Sequence, residues 1–491
     1  APHAPAEYGR HRVRVAEHDR RWVLFAPDPR PRSHRTTLQR DRVAEHDRRW
    51  VLFAPDPRPR SHRTTLQRDR VAEHDRRWVL FAPEKMVPMA APVTLEDIRA
   101  AQAVIARVAK RTPIVSSIAL SRQAGGEVVL KAENLQRTGA FKLRGAMSKL
   151  ASLGEDAARG VIAGSAGNHG QALAFAAAHF GVPCEIFVPT GAPITKIEAC
   201  RGYGATVVEE FATLDEAVEA ARERAAASGM AFCHPYDDPA VIAGQGTLGL
   251  ELVDDVPDLS CVIVPVGGGG LAAGVAIAVK SQRPEVRVIG VQAAVCAPYA
   301  GATAPDGPVE TLADGIAVKH PGALTKPLIE TWVDDVVSVD EDAIADAMVF
   351  LMDRAKLYVE GAGAVGVAAV ASGLVTPAAT GTTCVVLSGG NVDLGVVPGL
   401  IRRHETTAGR RLVVFARIPD RPGTLVRFLG AFAAAGANLV EVQHQREGVI
   451  LHVRETGVHA TFEVRSPAHA RAVLDAVRAA GYPEVREIAD S

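Results

Sequence analysis

From Thr94 onward the apolar positions of the chain follow two alternating periods. Thr94 stands three residues before Asp97, and Ile98, Ala101, Ile105 and Val108 follow at helical spacing, so a capped helix is predicted here. Short β-branched runs then alternate with alanine-rich stretches, and strands are predicted at 128–131, 161–164, 184–188, 261–266, 288–291 and 384–387. Uninterrupted apolar strands between helices predict parallel sheets covered on both faces, and a stretch of about 310 residues has room for two open ones. After Arg402 a polar connector, 403–410, leads to a different rhythm. A strand is expected at 411–418, a turn at Pro-Asp-Arg-Pro-Gly and a helix from Thr424. Strands near 438–446, 448–454 and 459–465, a helix from Ser466 to Gly481 and a closing strand at 484–488 follow. This is read as a β-α-β-β-α-β order, that of a separate ferredoxin-like domain.

The first 85 residues share neither period. Residues 15–42 recur unchanged at 43–70, and their first thirteen recur at 71–83. Solenoid repeats diverge while keeping an apolar face, whereas each copy here offers one Trp-Val-Leu-Phe-Ala cluster among arginines and prolines. Identity points to a recent duplication or to translated sequence upstream of a start at Met86 or Met89, and the segment is expected to be largely disordered and dispensable. The other reading is a basic, Trp-bearing arm for an acidic partner.

Charge sharpens this division. The 491 residues carry 55 Lys+Arg and 56 Asp+Glu, a net of -1, but residues 1–84 hold nineteen arginines against twelve acids and therefore +7, leaving -8 for the rest. With 47% hydrophobic residues the chain is not disordered as a whole, and its balance gives no global electrostatic case for nucleic acid. Cysteines 184, 200, 233, 261, 296 and 384 lie in apolar stretches without a C-x-x-C pair, so reduced buried thiols are expected. No membrane span and no signal-peptide core are recognisable, and the chain reads as cytoplasmic.

Four turns carry candidate chemistry. In Thr-Gly-Ala-Phe-Lys (138–142) Lys142 begins a helix, whose N-terminal end disfavours a cation. The residue is either an amine held neutral enough to attack a carbonyl or an ordinary first-turn lysine. Gly-Ser-Ala-Gly-Asn-His-Gly-Gln (164–171) follows a strand and opens a helix, offering free N–H groups for a carboxylate and the Asn168 amide for an oxygen, with His169 read as packed or capping. Gly267–Gly270 follow a buried strand, and their N–H groups can form a nest for a phosphate, although the spacing matches neither a P-loop nor a dinucleotide fingerprint. Ser388, in Ser-Gly-Gly-Asn, ends another strand at the position where open α/β sheets bind ligands. An aldehyde bearing a phosphate and a heteroaromatic nitrogen satisfies all four, which describes pyridoxal phosphate.

These motifs, with Ala-Asp-Gly-Ile-Ala-Val (313–318) and Glu-Gly-Ala-Gly-Ala (360–364) between them, stand in an order that resembles the fold-type II pyridoxal-phosphate enzymes, and within them the threonine dehydratase (threonine ammonia-lyase) branch. The resemblance covers about residues 93–402. It implies an α/β fold of two open subdomains like the tryptophan synthase β-chain, and residues 411–491 resemble a βαββαβ ACT regulatory domain. The implied domains are therefore 1–85, 86–402, a linker 403–410, and 411–491.

Carried over residue by residue, the resemblance makes Lys142 the Schiff-base lysine and the base for the α-proton, with Phe141 against the pyridine ring. Asn168 holds the ring hydroxyl oxygen, Gly267, Gly268, Gly269, Gly270 and Leu271 cradle the phosphate, and Ser388 meets the ring nitrogen. Ser165 binds the substrate carboxylate. The implied reaction is dehydration and deamination of L-threonine, and of L-serine beside it, as a step of isoleucine biosynthesis. Serine dehydratase, serine racemase and a non-catalytic amino-acid sensor are the alternatives. Ala140 replaces the family's serine before Phe-Lys, and Gln292 stands where cation-binding relatives carry glutamate, so no metal is expected. For the ACT part the resemblance implies a branched-chain amino-acid effector, isoleucine first, taken by the N–H groups beside Gly423 and by Asn438, or else a domain that only dimerises the enzyme. A homodimer or homotetramer is implied, with no nucleic-acid or membrane partner.

Overall fold

The computed structural model describes residues 92–303, 305–446 and 451–488, so the repeated leader lies outside the described residues. The expected first helix is present as α1 (Leu95–Ile105). The Asp97 N–H donates to Thr94 Oγ1 at 3.2 Å, the Thr94 N–H donates to Asp97 Oδ2 at 2.8 Å, and Ile98, Ala101 and Ile105 are buried.

The larger sheet has the order β1-β2-β10-β7-β8-β9, formed by β1 (Ile114–Ser116), β2 (Val128–Ala132), β7 (Leu259–Pro265), β8 (Arg287–Ala293), β9 (Asp335–Val339) and β10 (Thr382–Leu387). All neighbours are parallel except β1, which runs antiparallel to β2. Side chains alternate across it. Cys261, Ile263, Val385 and Leu387 face α2 (Ile118–Ala124), α10 (Glu341–Phe350) and α11 (Gly361–Ala371), while Val262, Val264, Cys384 and Val386 face α7 (Pro239–Asp255), α8 (Gly270–Lys280) and α9 (Thr325–Trp332). The smaller sheet, β5-β4-β3-β6, is parallel throughout: β3 (Val161–Gly164), β4 (Cys184–Pro189), β5 (Thr206–Phe211) and β6 (Ala231–Phe232). Helices α3 (Lys142–Leu153), α4 (Asn168–Phe180) and α5 (Ile194–Gly202) cover one face and α6 (Leu214–Ser228) the other.

Strands β1, β5, β6 and β9 were not expected. All four lie at or next to a sheet edge and are short or half-exposed, so they lack the continuous apolar run that marks a central strand. The connector also needs correction. Helix α12 (Val397–Thr407) runs through the boundary placed at Arg402, leaving only 408–410 between the bodies.

The C-terminal part forms the expected ferredoxin-like order: β11 (Arg411–Pro419), α13 (Thr424–Ala434), β12 (Asn438–Gln445), β13 (Glu455–Glu463), α14 (Pro467–Ala479) and β14 (Arg486–Glu487), with the antiparallel sheet order β12-β13-β11-β14. The strands expected at 448–454 and 459–465 are corrected to the one strand β13; 451–454 turn into it, and 447–450 lie outside the described residues. Phe428 and Phe432 of α13 fill the core, and the Phe432 ring stacks on Phe462 at 4.0 Å. All six cysteines are free and buried, and among the described residues no helix is long and apolar enough to cross a membrane.

Candidate active site

Three of the four turns are joined by hydrogen bonds, and the fourth, Gly267–Gly270 after β7, packs against Tyr236, next to the Pro235 carbonyl that Lys142 reaches. Lys142 begins α3, and the preceding turn is fastened by main chain to the turn after β10. The Phe141 N–H donates to the Ser388 carbonyl at 3.0 Å, the Gly390 N–H donates to the Gly139 carbonyl at 2.8 Å, and Ala140 and Gly389 form a bridge. The lysine is half-buried, with Nζ donating to the Pro235 carbonyl at 2.8 Å and lying 5.1 Å from the centre of the Phe141 ring. Desolvation lowers its pKa to about 8 against the opposing pull of Glu360.

Asn168 opens α4. Its Oδ1 accepts from Asn391 Nδ2 at 2.8 Å, and the same Asn391 amide donates to the Thr138 carbonyl at 2.8 Å, so one side chain ties three turns together. The Asn168 Nδ2 donates to Glu360 Oε1 at 2.7 Å. Ser165 Oγ accepts from the N–H groups of Gly167 and Gly170, both at 3.3 Å, which leaves its own hydrogen free to donate. His169 is packed as expected: Nε2 meets the Cys233 carbonyl at 2.9 Å, and burial holds its pKa down at about 3.

Between β7 and α8, Gly269 has φ +94°. The Gly268 carbonyl is turned outward, accepting from Thr325 Oγ1 at 2.6 Å and Tyr299 Oη at 3.0 Å. Among the described residues nothing accepts from the N–H groups of Gly267–Gly270. A Cβ on Gly268 would fall inside the Tyr236 ring, and one on Gly270 would lie 2.8 Å from the Tyr236 carbonyl. The Leu271 side chain belongs to the core beside the sheet, so it offers the site only its backbone. Ser388 is buried, and among the described residues its hydroxyl has only a long 3.5 Å contact with the Ala362 carbonyl. These features fit pyridoxal phosphate: unpartnered N–H groups at a helix start for the phosphate, a partly neutral amine for the aldehyde, and an uncommitted hydroxyl for the ring nitrogen.

A scan of family models matches residues 105–389 to "Pyridoxal-phosphate dependent enzyme". The chain belongs to this family. An L-threonine ammonia-lyase of Thermotoga maritima is 45% identical over 401 residues, which is 80% of this chain and 99% of that protein. Among solved structures, the processed form of threonine deaminase isoform 2 from Solanum lycopersicum is 35% identical with a TM-score of 0.60, covering 63% of this chain and 86% of its own. Maize serine racemase is 34% identical with a TM-score of 0.60, covering 64% and 99%. The family membership accounts for the two-subdomain fold and makes pyridoxal phosphate the cofactor.

Sequence reasoning passed over Glu360 and Asn391, although both stand in quoted motifs, and Tyr236, which stands in none. Nothing in composition marks them, because each acts through another residue's backbone or amide. Gln292 is fully engaged: Nε2 donates to the Val266 carbonyl at 3.2 Å and Oε1 accepts from the N–H groups of Tyr299 and Ala300 at 2.8 and 3.1 Å. In the C-terminal part, Gly423 caps α13 with φ +80°, and Asn438 starts β12 beyond the far end of that helix. Eleven helical residues rise about 16 Å, so one chain does not bring these two residues together.

Proposed function

We propose that this protein is a threonine ammonia-lyase that converts L-threonine to 2-oxobutanoate and ammonia, acting also on L-serine, with Lys142 and Ser165 as its catalytic residues. The observation that carries the reading is the main-chain bridge that fixes the Lys142 turn against Ser388 while Asn391 joins both to Asn168. Pyridoxal phosphate, when bound, supplies the electron sink for the carbanion left by the departing α-proton. Its contacts in this reading are Lys142, Phe141 and Asn168, the N–H groups at Gly267–Leu271, and Ser388.

The residues of the chain do the rest. Ser165 donates its hydroxyl hydrogen to the substrate carboxylate beside the free N–H groups that open α4, which orients the α-hydrogen toward Lys142. The Lys142 amine, with its pKa lowered by burial, is neutral often enough near neutral pH to take that proton. Ser388 offers the ring nitrogen a neutral hydroxyl in place of a carboxylate, a weaker reason to hold a proton there, which favours loss of the β-hydroxyl over transamination. Assaying the purified protein with L-threonine, L-serine and D-serine, and following 2-oxo acid and racemised product separately, tests this. Racemised serine as the main product would overturn the lyase reading in favour of a racemase.

Residues 86–402 form the catalytic domain in this reading and 411–491 an ACT-type regulatory domain, with residues 1–85 dispensable. The match to the Thermotoga protein supports a shared C-terminal part, since 401 aligned residues exceed the catalytic domain. Strand β12 supports pairing between copies: it is an edge strand exposing Leu439, Val440 and Val442. A homodimer or homotetramer would place Gly423 of one chain near Asn438 of another, where isoleucine or a related effector of a biosynthetic enzyme binds. Six free buried thiols support a reducing, cytoplasmic setting.

A further inference from the structure

Glu360 is a buried acid inside the site for which the proposed chemistry names no task. It caps α11, is 4% exposed, and its Oε1 accepts from Asn168 Nδ2 at 2.7 Å while its own N–H donates to the Gly389 carbonyl at 3.1 Å. Gly389 makes room for the carboxyl group, since a Cβ there would collide with Oε1. The charged groups facing it come from three elements. Asp314 lies in the turn 314–316, Lys196 of α5 bridges to Asp314 at 3.1 Å, and Lys142 opens α3. The turn after β10 contributes only the Asn391 N–H, and α4 only the Asn168 amide.

The Asn168 amide is nearly committed. Its oxygen is taken by Asn391 and one hydrogen by Glu360, so a single N–H remains for the ring hydroxyl oxygen that this residue holds in the proposed function. An ionised Glu360 and an anionic ring oxygen would then sit on the two hydrogens of one amide nitrogen and repel each other across it. A neutral carboxyl group removes the repulsion and brings a donor of its own.

We propose that Glu360 is a positioning residue that works as the neutral acid, so that cofactor binding takes a proton from solvent onto its carboxylate. The proposal rests on the reading that the pocket holds pyridoxal phosphate. Burial and the nearby Asp314 carboxylate already lift the Glu360 pKa to about 7, opposed by Lys196 and the Asn168 amide, so this uptake falls within the working pH range.

The test measures pyridoxal phosphate binding by the apo-protein, wild type and Glu360→Gln, from pH 6 to pH 9, with proton uptake measured calorimetrically in buffers of differing ionisation enthalpy. Titrations of the cofactor are common to both proteins and cancel in the ratio of dissociation constants, and the shift in Lys142 that loss of Glu360 brings is removed by repeating the comparison in a matched pair that carries Lys142→Ala. That ratio, wild type over variant, is expected to rise about tenfold across the range, the value for one unit of pKa displacement, and the wild type should take up more protons at pH 8. A flat ratio or equal proton uptake overturns the proposal. Asp314→Asn leaves Glu360 itself intact and should move the midpoint to lower pH, and an unmoved midpoint also counts against it. If neither protein binds pyridoxal phosphate at any pH, the cofactor reading fails, and this proposal with it.

Discussion

The backbone N–H of Phe141 donates to the carbonyl oxygen of Ser388 at 3.0 Å, so the residue before Lys142 is held by the residue that follows β10. Main-chain hydrogen bonds thus join two turns whose bonded residues stand 247 positions apart in sequence.

Gly268→Ala should disturb the phosphate nest, because the added methyl group would enter the Tyr236 ring. Overpacking of this kind costs about 1–3 kcal/mol. The expected outcome is weaker pyridoxal phosphate retention on dialysis with secondary structure kept, and unchanged retention would show that Tyr236 gives way freely.

Arg144 is 1% exposed and pairs with Glu133 at 2.8 Å and Glu251 at 2.7 Å, while Lys131 reaches Glu251 at 2.7 Å and Asp255 at 3.1 Å. This network anchors α3 two residues beyond Lys142. Arg144→Met leaves Glu133 buried without its partner, at a cost of about 3–5 kcal/mol. A clear fall in Tm is expected, and a Tm equal to that of the wild type would mean that the acid is accommodated another way.

The rate of cofactor loading should follow the Lys142 amine. Burial lowers its pKa to about 8, so the neutral, attacking fraction rises about tenfold per pH unit below that value and levels above it. Stopped-flow absorbance of apo-protein mixed with pyridoxal phosphate checks this. A rate that kept rising past pH 10 would place the pKa at the ordinary lysine value.

Much of this site was legible in the sequence because glycine runs after apolar strands have few purely structural uses. Gly267–Gly270, Asn168 and Lys142 could each be placed at a helix start from local pattern alone. Glu360 and Asn391 could not: their roles depend on Asn168, 192 and 223 positions away, and no periodicity encodes such a meeting. The edge strands β5 and β9 escaped for a related reason, since an edge needs only part of its surface apolar. Helix α12 was hidden by the polar run His404–Thr407, which reads as a loop but continues a helix whose Leu400 is buried.

Regulation is tested by titrating isoleucine and valine against initial rate in the full chain and in a chain ending at Ala408, beyond the end of α12. An ACT-type sensor is expected to make only the full chain respond. Identical, ligand-insensitive curves from both would leave the domain a dimerisation element.

Lys142 is expected to carry the cofactor. Borohydride reduction of the holoenzyme fixes a bound carbonyl compound to its amine, and peptide mass mapping then locates it. The expected result is one pyridoxyl group per chain on the peptide containing Lys142, absent from Lys142→Ala, which should also lose 2-oxobutanoate formation from L-threonine. A pyridoxyl group on another lysine, or undiminished turnover in Lys142→Ala, would contradict the account.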